Sequence, residues 1–373
     1  MSALVQIFFG SNFKATGSDS AQRRQVTSVI TLNRKYPNAV AHPGIMRPMK
    51  AEIVGVLFDR CGKQPGSALG PEAIRYAFER HDRRDVRLMY RRNVSQWHEV
   101  RSKPRSEDRT GLRYFNEALA CYFATQDHVE AVLGRGHTPI VLGGDHSVAL
   151  GSVPVAHRHV QKQGGKLAVL WIDAHADVND PHSSHTGNLH GMPIAAMLGR
   201  DYAEHPKGLK DHQWKRLIEE AMQGELMVEG QFAWLGLRDV DLGEARTIAK
   251  GMPGSMPISM EVIDRHGLLV AFEKFTQWFA RSGCTHLWIS FDVDVLDPVL
   301  APGTGTAVRG GLSYREAHLL AELINEQLFD KLVGLDVVEV NPILDSNNAT
   351  VRVATEWLAS LFGKRILPWG PRV

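Results

Sequence analysis

The sequence has little cysteine, almost no net charge and no long apolar run. Its 373 residues contain three cysteines, Cys61, Cys121 and Cys284, and no C-x-x-C pair. This argues against a secreted disulfide framework and a thiolate zinc site, so we expect three small buried side chains in a reducing compartment. The 43 basic and 41 acidic residues leave a net charge of +2, which argues against a nucleic-acid partner. No run approaches the roughly 18 apolar residues of a membrane span, so we expect no membrane partner.

Residues 1–50 differ in composition from the rest of the chain. They are rich in Lys, Arg, Ser and Thr and contain a single acid, Asp19. This is the composition of a mitochondrial transit peptide, but no clear amphipathic helix runs through the segment, and it lacks the order of a secretory signal. We therefore expect a basic N-terminal extension that is ordered against the body or a neighbouring subunit. A cytoplasmic location is expected, with the mitochondrion as the alternative.

Beyond residue 50, short apolar runs alternate with helical patterns. The strand-like runs cover residues 51–58, 138–142, 166–172, 232–237, 286–291 and 332–338. Pro71 lies where a first helix would begin, and residues 111–133 and 350–362 are typical of further helices. Continuous apolar strands between helices indicate a parallel sheet covered on both faces. We predict a single α/β domain over residues 51–373.

Acids and histidines follow four of these strands at their carboxyl ends. The motifs are Gly143-Gly144-Asp145-His146, Asp173-Ala174-His175-Ala176-Asp177, Asp292-Val293-Asp294 and Glu339-Val340-Asn341-Pro342. Ligand sites of parallel sheets lie outside the carboxyl ends of the strands, so we expect these motifs to converge. A single D-x-H or D-x-D could belong to a solvated loop. Three such clusters, each directly after a buried strand, are hard to explain by solubility alone.

Alternate residues of an extended chain face the same way, so the acids and histidines of each motif can point at one locus. The candidate ligands are four carboxylates and two imidazoles: His146, Asp173, His175, Asp177, Asp292 and Asp294. Four carboxylates cannot stay ionised at close range without cations, and two divalent metals would supply the charge. This ligand set suits manganese, iron, cobalt or nickel better than a structural zinc. Two carboxylates would bridge, and a shared water would lose a proton near neutral pH.

Four other histidines occur in polar or helical contexts away from the strand ends: His157, His159, His182 and His185. We expect these to be surface residues without a functional role.

Taken together, the motifs resemble those of the ureohydrolase family, the arginases and agmatinases, over about residues 51–365. The resemblance implies a three-layer α/β/α fold with a mostly parallel sheet. It also implies a homotrimer or homohexamer that releases urea from a small guanidino substrate. Its cofactor would be two Mn²⁺ ions, with Ni²⁺ or Co²⁺ as alternatives, held in two groups that share the bridging residues Asp173 and Asp292. The first group would be completed by His146 and Asp177, and the second by His175 and Asp294.

Several local features resemble arginase in particular. By this resemblance His190 is a mobile proton-transfer residue, and His190, Asp177 and Glu339 are the expected catalytic residues. Residues 186–191 resemble a loop that receives the α-carboxylate of the substrate, and residues 236–241 with Glu244 resemble a segment that receives its α-amino group. The expected substrate-binding residues are Asn179, Ser184, Thr186, Asn188, Asp241, Glu244, Thr306 and Glu339.

Other features depart from the arginase pattern. Residues 64–71 and 301–306 look more like agmatinase-type members, and position 186 is Thr where arginases commonly have Ser. L-Arginine is therefore the leading substrate, while agmatine, guanidinobutyrate and a smaller guanidine compound remain open. A non-catalytic member of the family is a further alternative, but all six predicted ligand positions are intact.

Overall fold

The structure, a computed structural model, describes residues 50–101 and 110–364. All but the last residue of the basic extension lies outside the described residues, so its ordering stays a prediction. The described part contains one eight-stranded sheet whose neighbouring strands are all parallel, in the order β2-β1-β3-β8-β7-β4-β5-β6. The strands are β1 (Ala51–Leu57), β2 (Val94–Arg101), β3 (Thr138–Leu142), β4 (Leu167–Ile172), β5 (Phe232–Leu237), β6 (Met256–Ser259), β7 (His286–Asp292) and β8 (Leu332–Val338).

Helices cover both faces of this sheet. They are α1 (Gly70–Arg80), α2 (Arg84–Asn93), α3 (Phe115–Gly134), α4 (Ala149–Lys162), α5 (Pro193–Met197), α6 (Leu209–Met222), α7 (Leu242–Gly251), α8 (Met260–Arg281), α9 (Tyr314–Gln327) and α10 (Ala349–Leu361). Alternate strand residues enter two separate cores: Leu170 packs on the side of α8 to α10, whereas Trp171 packs on the side of α3, α4 and α6. The predicted three-layer α/β/α fold is confirmed, with a sheet that is parallel throughout.

The six predicted strands are present within a residue or two of their predicted bounds, but the sequence interpretation missed both edge strands. The sequence of β2 is largely polar because one side of an edge strand is not covered. The other missed strand, β6, has only four residues, too few for an alternating pattern. Helix α3 begins at Phe115, later than predicted.

The terminal helix α10 packs against α1 and α9. Leu361 and Phe362 at its end are buried within the chain. These side chains therefore offer no apolar surface on which subunits of an oligomer could associate. The three cysteines are free and buried, as predicted. Among the described residues, no helix is both long enough and apolar enough to span a membrane.

Of the four histidines expected at the surface, His157 is buried on α4, so that prediction was wrong. It lies close to the side-chain amide of Gln231, at 3.4 Å. His182 is exposed and pairs with Asp201 and Asp211, as a surface residue would.

A buried charge lies at the amino-terminal edge of the sheet. Glu52 on β1 is buried and accepts two hydrogen bonds from the Arg135 guanidinium, at 2.9 and 2.7 Å. The rings of His137 and His98 lie 2.7 and 2.5 Å from the same carboxylate. The Arg135 hydrogen bonds are the largest influence and, with the two histidines, lower the pKa of Glu52 to about 2 although burial opposes them.

Candidate active site

The predicted site motifs lie at the carboxyl ends of adjacent strands in the middle of the sheet. The Gly143-Gly144 turn after β3 brings the chain tightly against the end of β1. A Cβ on Gly144 would lie 1.7 Å from the carbonyl oxygen of Phe58, so only glycine fits there. Asp145 then holds the turn together, because its carboxylate accepts hydrogen bonds from the backbone N–H groups of Cys61 and Ser147, at 2.8 and 3.0 Å.

His146 is the first residue of the site. Its ring stacks on Trp171 with 4.0 Å between centroids and 10° between planes. Its Nδ1 lies 3.0 Å from an oxygen of Asp173, 3.0 Å from one of Asp177 and 3.2 Å from one of Asp292. One imidazole nitrogen therefore faces three carboxylates that come from two different strands.

His175 and Asp294 form a second group on the other side of Asp173. The Nδ1 of His175 lies 3.0 Å from Asp294 Oδ2 and 3.4 Å from Asp173 Oδ1. Asp173 turns its other oxygen, Oδ2, toward His146. Two sets of potential ligand atoms, His146-Asp173-Asp292 and Asp173-His175-Asp294, each gather within 4.8 Å and share Asp173.

The electrostatics of the site fit bound cations. Burial and the charge of Asp173 raise the pKa of Asp177 to about 6. Burial and the neighbouring carboxylates also raise the pKa of Asp292 and of Asp294. Crowded buried carboxylates ionise together only when cations lie between them. Among the described residues, the buried His146 Nδ1 makes no hydrogen bond of good geometry to the three carboxylates around it, as expected of a nitrogen that would share a metal with them.

The loops that carry these residues are held in unusual conformations. Asp177 and Glu339 have left-handed backbones, with φ of 51° and 60°. Such conformations are uncommon for these residue types and cluster at functional sites. The side chain of Arg238, just after β5, stabilises the loop that follows β7. Its guanidinium donates hydrogen bonds to backbone carbonyls near the beginning and near the end of that loop. Its acceptors there are the carbonyls of Asp294, Val295, Leu296, Val308 and Arg309.

Glu339 and His190 contact each other beside the ligand groups. Glu339 is buried at the end of β8, and its Oε1 accepts the backbone N–H of His146 at 3.2 Å. The same oxygen lies 3.1 Å from His190 Nδ1. Burial lowers the pKa of the His190 imidazole, but the hydrogen bond and charge of Glu339 outweigh it, so the pKa is raised overall.

A cavity of about 270 Å³ opens above the ligand groups. Its walls include seven of the eight predicted substrate-binding residues together with His190: Asn179, Ser184, Thr186, Asn188, Asp241, Glu244 and Thr306. Glu339 is not among the lining residues but reaches the site through His190. Three lining residues were not among the predicted site residues: His185, and Gly191 and Asp239, which belong to the two segments expected to receive the substrate. His185 was interpreted as a surface residue, although its position next to Thr186 in the predicted substrate loop was a usable signal.

Asp241 also has a structural role that the sequence interpretation overlooked. It is the N-cap of α7 and forms a capping box with Glu244, a D-x-x-E pattern readable in the sequence. Its second oxygen accepts a hydrogen bond from Asn179 at 2.8 Å. Burial and the charges of Asp177 and Asp241 raise the pKa of Glu244 to about 8. The amide oxygens of Asn179 and Asn188 are buried and lack partners among the described residues, as expected where a ligand would bind.

Comparison with known proteins agrees with this geometry. A family model described as "Arginase family" matches residues 49–363. An arginase of Bacillus caldovelox is 35% identical over 330 residues, covering 86% of this chain and all of that protein. An arginase of Staphylococcus aureus is 32% identical over 326 residues, covering 85% of this chain and 98% of its own length. The crystal structure of the Bacillus caldovelox enzyme aligns with a TM-score of 0.73 at 32% identity, over 86% of this chain and 100% of that one.

The fold and the site therefore define a hydrolase that acts on linear amidines and carries a candidate metal site. The chain belongs to the arginase family.

Proposed function

We propose that the chain hydrolyses L-arginine to L-ornithine and urea at a centre of two Mn²⁺ ions. The observation that carries the proposal is the pair of His/Asp groups that share Asp173 at the floor of a polar cavity. Arginases that are 32–35% identical over most of this chain support arginine as the substrate.

The metals would be held by the six residues that sequence analysis selected. His146, Asp173, Asp177 and Asp292 would hold one ion, and Asp173, His175, Asp292 and Asp294 the other. Two divalent ions would balance the carboxylates and lower the pKa of water enough to provide a strong nucleophile near neutral pH. Nickel or cobalt would suit the same imidazole and carboxylate ligands.

The remaining residues would place the substrate over this centre. A guanidinium carbon is a poor electrophile, so it must be held in position. Glu339, buried next to the ligand groups, would accept its N–H groups, and Thr306, whose hydroxyl donates to Asp294 at 2.8 Å, would border the same place. At the other end, the Asp241 carboxylate suits an α-ammonium group, and an ammonium there would favour ionisation of the neighbouring Glu244, whose pKa is otherwise raised to about 8.

The other polar wall of the cavity would receive the substrate carboxylate. Ser184, Thr186 and Asn188 supply hydroxyl and amide groups without a fixed charge, and Asn179, which also lines the cavity, donates a hydrogen bond to Asp241. His190 would deliver a proton to the departing amine. Its contact with Glu339 brings the imidazole next to the position proposed for the guanidinium.

A substrate panel tests the proposal. Urea release should be measured from L-arginine, agmatine, guanidinobutyrate and guanidine after separate loading with manganese and nickel. Arginine should be preferred. Asp241→Ala should raise KM for arginine but not for guanidinobutyrate, which has a carboxylate but no α-amino group for Asp241 to bind. A preference of more than tenfold for agmatine or guanidine would reject arginine as the substrate but leave the ureohydrolase class intact.

The metal assignment has its own test. Asp292→Ala should lose both ions because Asp292 is proposed to bridge them, whereas His146→Asn should lose one ion more readily than the other. Elemental analysis after gel filtration gives both numbers. Full occupancy in Asp292→Ala would contradict the bridging role.

We also propose that the chain assembles as a homotrimer or homohexamer. Light scattering at micromolar concentration should give a particle several times the 41.5 kDa of one chain. A particle of the monomer mass would reject this.

A further inference from the structure

A buried carboxylate with no part in the proposed reaction lies behind the first ligand group. Asp336 on β8 is fully buried and does not line the cavity. Three donors surround it. Ser290 Oγ donates to its Oδ1, and Trp288 Nε1 and Ser152 Oγ donate to its Oδ2 at 2.7 and 3.2 Å. Burial raises the pKa of Asp336 overall, although the charge of His146 and these three donors oppose the effect by favouring the ionised form.

Ser290 connects this carboxylate to His146. Ser290 and Asp336 are direct partners across β7 and β8, and His146 Nε2 lies 2.8 Å from Ser290 Oγ. A hydroxyl has one proton, and here it points to Asp336. The lone pairs of Ser290 therefore face His146, so Nε2 must carry the proton and donate it.

A neutral imidazole carries one N–H, so a proton fixed on Nε2 leaves Nδ1 with a free lone pair. Nδ1 is the nitrogen that faces Asp173, Asp177 and Asp292. The stacked Trp171 fixes the plane of the ring but does not distinguish its two nitrogens. The Ser290 contact does make that distinction.

We propose that Asp336, acting through Ser290, is a positioning residue that sets the tautomer of His146 and presents its Nδ1 lone pair to the metal. The inference rests on the proposed function, because it requires a metal at the first ligand group. Second-sphere partners of this kind commonly alter metal affinity by about 10- to 100-fold.

The substitution Asp336→Asn tests this with almost no change in shape. The amide oxygen should stay with Trp288, whose Nε1 can only donate, and the NH₂ group should then face Ser290. The Ser290 hydroxyl must turn toward His146 Nε2, which moves the imidazole proton to Nδ1. Mn²⁺ affinity of the metal-stripped protein, measured by competition with a chelating dye, should fall about 10- to 100-fold. Ser152→Ala, which removes another donor from the same carboxylate, should stay within about twofold of wild type.

A double-mutant cycle separates positioning from a general loss of packing. Ser290→Ala should itself weaken Mn²⁺ binding, and adding Asp336→Asn to it should cost little more, because the connection is already cut. If the losses of Mn²⁺ affinity are additive, or if Asp336→Asn binds Mn²⁺ like wild type, Asp336 does not act on His146 through Ser290 and the proposal is wrong. If circular dichroism shows that Asp336→Asn does not fold, the Mn²⁺ affinities of Ser290→Ala and Ser152→Ala are compared instead. Equal losses of affinity in these two variants would refute the proposal. Failure of the wild type to bind Mn²⁺ would instead refute the metal centre itself.

Discussion

The hydrogen bonds of Arg238 allow the loss of stability on its substitution to be estimated. Its guanidinium donates to five backbone carbonyls of the loop after β7, of which that of Asp294 is the nearest. Arg238→Lys keeps the charge but replaces the planar fork by one ammonium with three donors. At least two carbonyls should lose their donor.

Each carbonyl left without a partner costs about 1–3 kcal/mol, and partial access of water to this site favours the lower end. A total of about 2–4 kcal/mol follows, and at about 2 °C per kcal/mol for a chain of this size the unfolding midpoint should fall by roughly 4–8 °C. Since Asp294 belongs to the same loop, urea release should also fall, chiefly through kcat.

Differential scanning calorimetry of the metal-stripped protein measures the midpoint without a contribution from bound ions. Arg246→Lys is the matched control, because Arg246 is exposed on α7 in the described structure. Its midpoint should not move. An Arg238→Lys midpoint equal to that of the control would refute the reasoning that the fork, rather than the charge, holds the loop.

Three further predictions concern other parts of the molecule. His190→Ala should lower kcat by roughly two orders of magnitude at unchanged metal content, and unchanged kcat would remove it as the proton donor. Glu52→Gln should lower the free energy of unfolding, measured with urea at pH 7, by about 2 kcal/mol. The native pKa of Glu52 is about 2, below its usual range, so the difference from wild type should shrink as pH falls from 5 toward 2. A difference that does not depend on pH would contradict stabilisation by the ionised carboxylate. Gly144→Ala should abolish Mn²⁺ binding or soluble expression, since its Cβ would overlap the Phe58 carbonyl; normal binding in dialysis would contradict this.

The central part of the fold and the ligand groups were predictable from sequence for one physical reason. Strands covered on both faces are continuous apolar runs, and polar residues directly after them stand out at a defined edge of the sheet. Asp173 and His175 follow β4 in this way and lie together as expected. Edge strands such as β2 have no such signal, because one of their sides is not covered.

Other features depend on contacts between distant segments and could not be predicted. The position of His185 beside Thr186 was a hint, but whether its side chain lines the cavity depends on how the loop after β4 folds back. Asp336 did carry a readable signal, an acid inside an apolar strand, but its partners Ser290 and Ser152 are known only once β7, β8 and α4 are packed together.

The place of β8 in the sheet has a consequence for how the protein is made. It is the last strand of the described residues, yet it lies between β3 and β7 and joins β2-β1-β3 to β7-β4-β5-β6. During synthesis, each of these two groups of strands therefore has an unpaired inner edge until β8 emerges from the ribosome. Exposed strand edges favour aggregation, so chaperone demand should be greatest over this interval, and premature termination before residue 332 should yield insoluble fragments.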